Sequence, residues 1–152
     1  ASIKKINAAG IKCSVLTKGV LPIELAKMSK DNEYGITLIS LNEAFRKQME
    51  PGSAPWKERL DALKTLHDAG CKTWVSIEPY PTPNIVKQDL SQLLEEVKFV
   101  DKIIFGRMNY SKDVTAYHDH KSFFNECACK VTQYCEEHEI RFHIKKGTIT
   151  KQ

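Results

Sequence analysis

Apolar residues follow two alternating rhythms along this chain. Leu60, Leu63 and Leu66 recur at helical spacing, as do Leu90, Leu93, Leu94 and Val97. Short β-rich runs separate such stretches, for example Ile36-Thr37-Leu38-Ile39. The spacing predicts helices over residues 2–9, 22–29, 42–49, 55–69, 85–97 and 121–138. It predicts strands over residues 12–17, 34–40, 71–78, 100–105 and 140–144. Three times a helix passes into a strand by nearly the same route: Ile6 to Leu16, Leu66 to Ile77 and, more loosely, Cys135 to Ile144. Gly10 and Gly70 stand where a helix needs a left-handed residue to stop. Pro22 and Pro55 suit first helical turns, and Asn42 suits a helix cap. Pro79, Pro81 and Pro83 predict a stiff loop directly after the third strand, and residues 107–120 read as a polar loop.

The unbroken Ile36–Ile39 run suits a strand covered on both faces. Regular strand–helix alternation implies a parallel sheet. Five strands are too few for an eight-stranded barrel, and the first helix has no strand before it. The expected fold class is therefore α/β: parallel βα repeats forming part of an incomplete TIM-type barrel. A single domain over residues 1–152 is expected to be the C-terminal portion of a larger protein. An open sheet edge in such a piece predicts a homodimer or swapped assembly.

Composition narrows the partners. With 152 residues, 41% hydrophobic and 28% charged, the chain is ordinary for a soluble globular domain. No apolar run reaches about 18 residues, so no membrane span is expected. No secretory signal pattern is visible. The net charge of +4 comes from 23 basic residues interspersed with 19 acidic ones. Lys145, Lys146 and Lys151 form the one late basic cluster, and nucleic acid is a weakly supported partner on that basis. Cys13 and Cys71 fall at strand starts, and Cys127 and Cys135 flank Val131 on an apolar helix face. Reduced, mostly buried thiols of a cytoplasmic protein are the expectation. The C-x-C-x5-C spacing spreads its thiols around one helix, so no metal site is assigned.

Parallel α/β proteins hold ligands beyond the carboxyl ends of their strands. The candidates there are Thr17 and Lys18, then Ser40 and Asn42, then Glu78 and Tyr80, then Arg107, Asn109 and Tyr110. This set suits a polar ligand with a carboxylate and a ribose. Lys18 or Arg107 can hold the carboxylate; Ser40, Asn42 and Asn109 can hydrogen-bond hydroxyls. Plainer roles stay open: a solvated turn for Lys18, caps for Ser40 and Asn42, packing for Tyr80. Glu78 needs a partner such as Arg107 or a lysine, because burying a carboxylate unpaired is costly. Two other functions stand beside ligand binding of this kind. One is a barrel aldolase or isomerase using Lys18 as a Schiff-base amine and Glu78 as acid/base. The other is a non-catalytic α/β binding module.

Ser40, Glu50-Pro51, Pro55, Arg59-Leu60, Ala62, Leu66 and Ala69-Gly70 form a more specific pattern. The stretch 36–70 resembles the middle of radical S-adenosylmethionine (radical SAM) enzymes, and within them the spore photoproduct lyase-like branch. The resemblance extends over most of residues 3–110. It implies a partial βα barrel whose N-terminal C-x3-C-x2-C loop holds a [4Fe–4S] cluster. It implies S-adenosylmethionine as the second cofactor and 5′-deoxyadenosyl radical chemistry. This chain has no C-x3-C-x2-C, so the resemblance implies a C-terminal part that is inactive alone. Lys18 matches a position contacting the cofactor carboxylate, and Ser40 one contacting its carboxylate or ribose. Asn42, Glu78 and Asn109 join them as cofactor-binding candidates from their strand-end positions. The fifth-strand glycine-rich motif of the family is not evident at Ser76-Ile77-Glu78-Pro79. Residues 107–117 and the late helix match nothing specific, which leaves the substrate open.

Overall fold

All three helix-to-strand joints close with the same hydrogen bond. The computed structural model describes residues 2–151. Helix α1 (Ser2–Ala8) is followed by Ala9 and then Gly10 at φ +78°. A long helix, Trp56–Asp68, is followed by Ala69 and then Gly70 at φ +89°. The last helix, His120–Glu137, is followed by His138 and then Glu139 at φ +54°. In each case the next residue donates back five positions: Ile11 N to Ile6 O, Cys71 N to Leu66 O and Ile140 N to Cys135 O, at 3.2, 3.0 and 2.9 Å. This is the Schellman closure of a helix. The third joint makes it without glycine, which explains its looser sequence.

Among the described residues five strands result: β1 (Ser14–Thr17), β2 (Glu33–Thr37), β3 (Lys72–Tyr80), β4 (Lys102–Arg107) and β5 (Arg141–Ile144). They form one parallel sheet in the order β1-β2-β3-β4-β5. The fold is an arc of a TIM-type barrel, as the alternation implied. The remaining helices, with α1, are α2 (Glu43–Met49), α3 (Trp56–Asp68), α4 (Leu90–Val97), α5 (Lys112–Ala116) and α6 (His120–Glu137). Right-handed crossovers between strands laid down in sequential order put the helices on one face. On that face the rows Tyr34, Ile36, Val75, Ile77, Ile103 and Phe105 are fully buried. They pack in one core with Leu60, Leu63 and Leu66 of α3, Leu93, Leu94 and Val97 of α4, and Phe124, Val131 and Cys135 of α6.

The opposite face carries other chemistry. Register aligns Gly35, Trp74, Lys102 and Arg141 in one row, and Thr37, Ser76, Ile104 and His143 in the next. A Cβ at position 35 would fall inside the Trp74 indole, so glycine there makes room for that ring. Lys102 Nζ lies 5.1 Å from the Trp74 ring centroid, and Glu33 Oε1 lies 3.9 Å from Lys102 Nζ.

Several sequence expectations are refined or corrected here. The Ile36–Ile39 run is buried on both faces, as expected, but by different groups on each. Ile36 and Leu38 enter the main core, Thr37 points the other way, and Ile39 joins Phe45 and Val86 in a separate cluster. Residues 22–29 form only a 3₁₀ turn, Ile23–Lys27, with one buried side chain, Leu25. The helix expected from residue 85 starts at Leu90, where Asp89 caps it by accepting from Ser91 N at 2.9 Å. Strand β3 runs through Pro79 to Tyr80, and the Glu78–Pro79 peptide is cis. The polar loop contains α5.

Two expectations follow. Gly70→Ala should lower stability by about 1–2 kcal/mol, the penalty of a Cβ in the left-handed region. Glu139→Gly should raise it by up to about 1 kcal/mol, since relief of that strain exceeds the added chain entropy. Urea midpoints of the two variants check both signs. The buried thiols make a pH prediction. Burial pushes Cys127 up to about 12 and Cys135 up to about 11, from an ordinary 9.0. The folded state therefore holds these protons longer, and the stability they contribute below pH 9 is lost as pH rises toward 12. The fall of the urea midpoint over that window should be shallower in Cys127→Ala.

Candidate functional site

The end of β1 is built by a loop that belongs to the next βα unit. Asn42 Oδ1 accepts from Phe45 N at 3.0 Å and starts α2, while Ser40 Oγ accepts from Asn42 N at 3.0 Å. Helix α2 ends at Met49, and Gly52 at φ +84° turns the chain back. Glu43 Oε1 accepts from Trp56 N at 2.9 Å, and Arg46 Nη1 donates to Ser53 O at 2.6 Å. Arg46 Nε also donates to Glu43 Oε2 at 2.6 Å. Partial burial works against the Glu43 carboxylate, but the bonds from Trp56 N and Arg46 outweigh it and hold its pKa below the ordinary value. Ala54 N donates to Lys18 O at 3.0 Å and ties this loop to the residue after β1.

Inside the loop lies a buried charge network. The Arg59 side chain is 1% exposed and that of Glu50 4%. Arg59 Nη1 donates to Thr37 O at 2.7 Å, and Nη2 donates to Glu50 Oε2 at 3.4 Å. Burial pulls the Arg59 pKa below its ordinary value, and the Glu50 charge opposes that shift. Lys18 Nζ sits 3.1 Å from Glu50 Oε1, as an ion pair without hydrogen-bond geometry. Its side chain is 49% exposed and borders a cavity of about 460 Å3, shared with Thr17, Gly19, Glu50 and Ser53.

The other predicted residues lie at successive strand ends but do not converge with Lys18. Glu78 and Asn109 line a second cavity of about 400 Å3 with Arg107, Lys145, Lys146 and Thr148. Asn42 borders a third, with Leu41, Lys87 and Gln88. Ser40 is buried. Tyr80 is a core residue, with its ring 5.4 Å from Phe105 and 6.3 Å from Phe123. Tyr110 is fully exposed. Glu78 finds a lysine: Lys145 Nζ is 3.9 Å from Oε1. Its carboxylate occupies the space a Cβ would take at Gly106.

Sequence reasoning placed Glu50 in the family-resembling motif but gave it no role at the site. A signal was present. Arg59 shares the α3 stripe of Leu63 and Leu66, at i, i+4 and i+7, and a buried guanidinium needs a carboxylate. Lys145 and Lys146 were grouped with Lys151, yet it is the first two that line this second cavity.

An iron–sulfur cluster needs converging thiolates. Cys13 and Cys71 precede β1 and β3, at the end of the sheet away from these cavities, and Cys127 and Cys135 are buried in α6. Among the described residues no group of three or more His, Cys, Asp or Glu side chains converges. These residues do not fit the cluster. Lys18, half exposed beside a cavity, does fit an anionic cofactor group.

The Radical SAM superfamily matches residues 1–97. The chain belongs to this superfamily, whose members generally use S-adenosylmethionine and a [4Fe–4S] cluster. It is 30% identical over 99 residues to Uncharacterized protein ORF301 of Acidianus two-tailed virus, covering 62% of this chain and 33% of that protein. It is 33% identical over 88 residues to Uncharacterized protein MJ0683 of Methanocaldococcus jannaschii, covering 56% and 33%. The chain thus spans about a third of the length of these relatives. No solved structure matches it significantly. Among the described residues no helix is long and apolar enough to cross a membrane.

Removing Glu50 strands a buried guanidinium. Glu50→Ala should cost about 3–5 kcal/mol in urea unfolding. Lys18→Met, which removes only the half-exposed partner, should cost less than about 1 kcal/mol.

Proposed function

We propose that this chain forms the distal wall of the cofactor site in a radical SAM enzyme of the spore photoproduct lyase-like branch. The cluster ligands belong to another part of a longer protein in this proposal. The observation that carries it is the placement of the Lys18 ammonium. A buried Glu50–Arg59 pair holds it at the mouth of a cavity, at the carboxyl end of a parallel strand. All three residues fall within the stretch that resembles that branch, and Glu50 and Arg59 are in its motif.

Lys18 binds the carboxylate of S-adenosylmethionine, and Glu50 orients it. Ser40 Oγ already accepts from Asn42 N, which leaves its O–H to donate to a carboxylate or ribose oxygen. Asn42 uses Oδ1 for its cap and keeps its amide N–H groups for a hydroxyl. Glu78 and Asn109 bound the far side, toward the substrate. The cofactor supplies radical chemistry when bound; the protein's part is to bind, orient and shield it. A Schiff-base role for Lys18 would want a desolvated amine, whereas this one is half exposed and ion-paired. Among the described residues β1 pairs with β2 alone, and Leu16 and Val20 are exposed beside it. In this proposal a strand of the longer protein pairs there.

The test is anaerobic reconstitution of the longer protein with iron and sulfide. It should release 5′-deoxyadenosine from S-adenosylmethionine. Lys18→Ala should raise the cofactor dissociation constant about tenfold, the value of one charge-assisted hydrogen bond. Unchanged affinity refutes the Lys18 assignment; absence of 5′-deoxyadenosine in the unaltered protein refutes the enzyme class.

A further inference from the structure

The carboxyl ends of β3, β4 and β5 gather more positive charge than the fold neutralises. Arg107 closes β4, half-buried, with its guanidinium 4.7 Å from the Phe124 ring centroid. Among the described residues it has no carboxylate partner, and its buried Nε has no hydrogen-bond partner. Burial pulls its pKa below the ordinary value, the direction an uncompensated cation takes. Lys145 and Lys146 follow β5 in a turn held by Lys145 N to Phe105 O at 2.8 Å and Thr148 N to Lys145 O at 3.1 Å. Thr148 is 1% exposed, and its Oγ1 accepts from Arg107 N at 3.4 Å. That leaves the hydroxyl proton to donate. Asn109 adds an amide to the same cavity of about 400 Å3.

The one acid lining this cavity is Glu78. Its carboxylate packs over Gly106, and Lys145 Nζ, at 3.9 Å, is beyond hydrogen-bond reach. Three cations against one carboxylate leave a formal charge of +2 among the lining residues. A phosphate monoester carries about −1.5 to −2 at neutral pH and only accepts hydrogen bonds through its ionised oxygens. Charge and donors match such a group, and Arg suits it best because its fork binds two oxygens at once.

We propose that this cavity binds the phosphate monoester of a small-molecule substrate. Naming the ligand a substrate rests on the radical SAM reading; the binding of phosphate does not. The position at the end of β3–β5, apart from the Lys18 cavity, puts the anchor at the substrate end of the site. A nucleic-acid backbone, with a single charge per phosphate, matches the +2 cavity less well.

The test titrates the 152-residue chain with inorganic phosphate by calorimetry at constant ionic strength. One saturable site per chain is expected. Lys145→Gln and Arg107→Gln should each weaken it about tenfold. Glu78→Gln should tighten it, and Lys151→Gln, outside the cavity, should leave it unchanged. If Arg107→Gln fails to melt cooperatively, Lys145→Gln and Lys146→Gln carry the test. Equal loss in Lys145→Gln and Lys151→Gln overturns the proposal, as does succinate binding as tightly as phosphate. Tighter binding of an oligonucleotide without terminal phosphates also overturns it, in favour of nucleic acid. Lost phosphate binding with intact 5′-deoxyadenosine release in the longer protein would refute this cavity alone. Phosphate binding without that release would refute the enzyme class alone.

Discussion

Arg59 is the constraint on which the strand-end architecture depends. A guanidinium inside an α/β core is costly unless it is paired and hydrogen-bonded, and the Nε of Arg59 is left without a partner among the described residues. Here one nitrogen binds the backbone at the end of β2 and another binds Glu50. Helix α3, strand β2 and the turn after α2 are thereby held to one another. Glu50 passes the constraint on, because its second oxygen faces Lys18. A charge deep in the helix layer thus sets where an exposed ammonium stands beyond β1.

Sequential strand order has a second consequence. The face opposite the main helix layer carries rows of different composition: Gly35, Thr37, Ser76, Lys102 and His143, with Gly35, Thr37 and Ser76 themselves buried. Glycine at 35 and 106 makes room for Trp74 and Glu78. Chemistry therefore concentrates on this face and at the carboxyl ends of the strands, where successive loops meet.

Much of this was legible in the chain. Helix-stop glycines at 10 and 70 and the alternation of strand and helix carried the fold class, because both are local signals. The motif from Ser40 to Gly70 carried the superfamily. Less legible were element ends: the residue 22–29 segment tightened to a 3₁₀ turn with one buried side chain, and the helix before Val97 began late because Asp89 capped it. The expected strand-end residues were found at strand ends, yet divided among separate cavities. Distances between loops depend on how far the sheet curls, which no local pattern records.

By itself, then, the sequence determined most element types, the parallel pairing of the strands and which polar residues fall near their ends, since each follows from short-range periodicity, capping and a recognisable motif. Only the tertiary structure decided which charges meet. It paired Lys18 with Glu50 and Glu78 with Lys145, and it left Arg107 without a carboxylate among the described residues. The physical reason is range. Helix and strand signals act within a few residues, whereas these contacts join side chains 32 and 67 positions apart across a folded sheet.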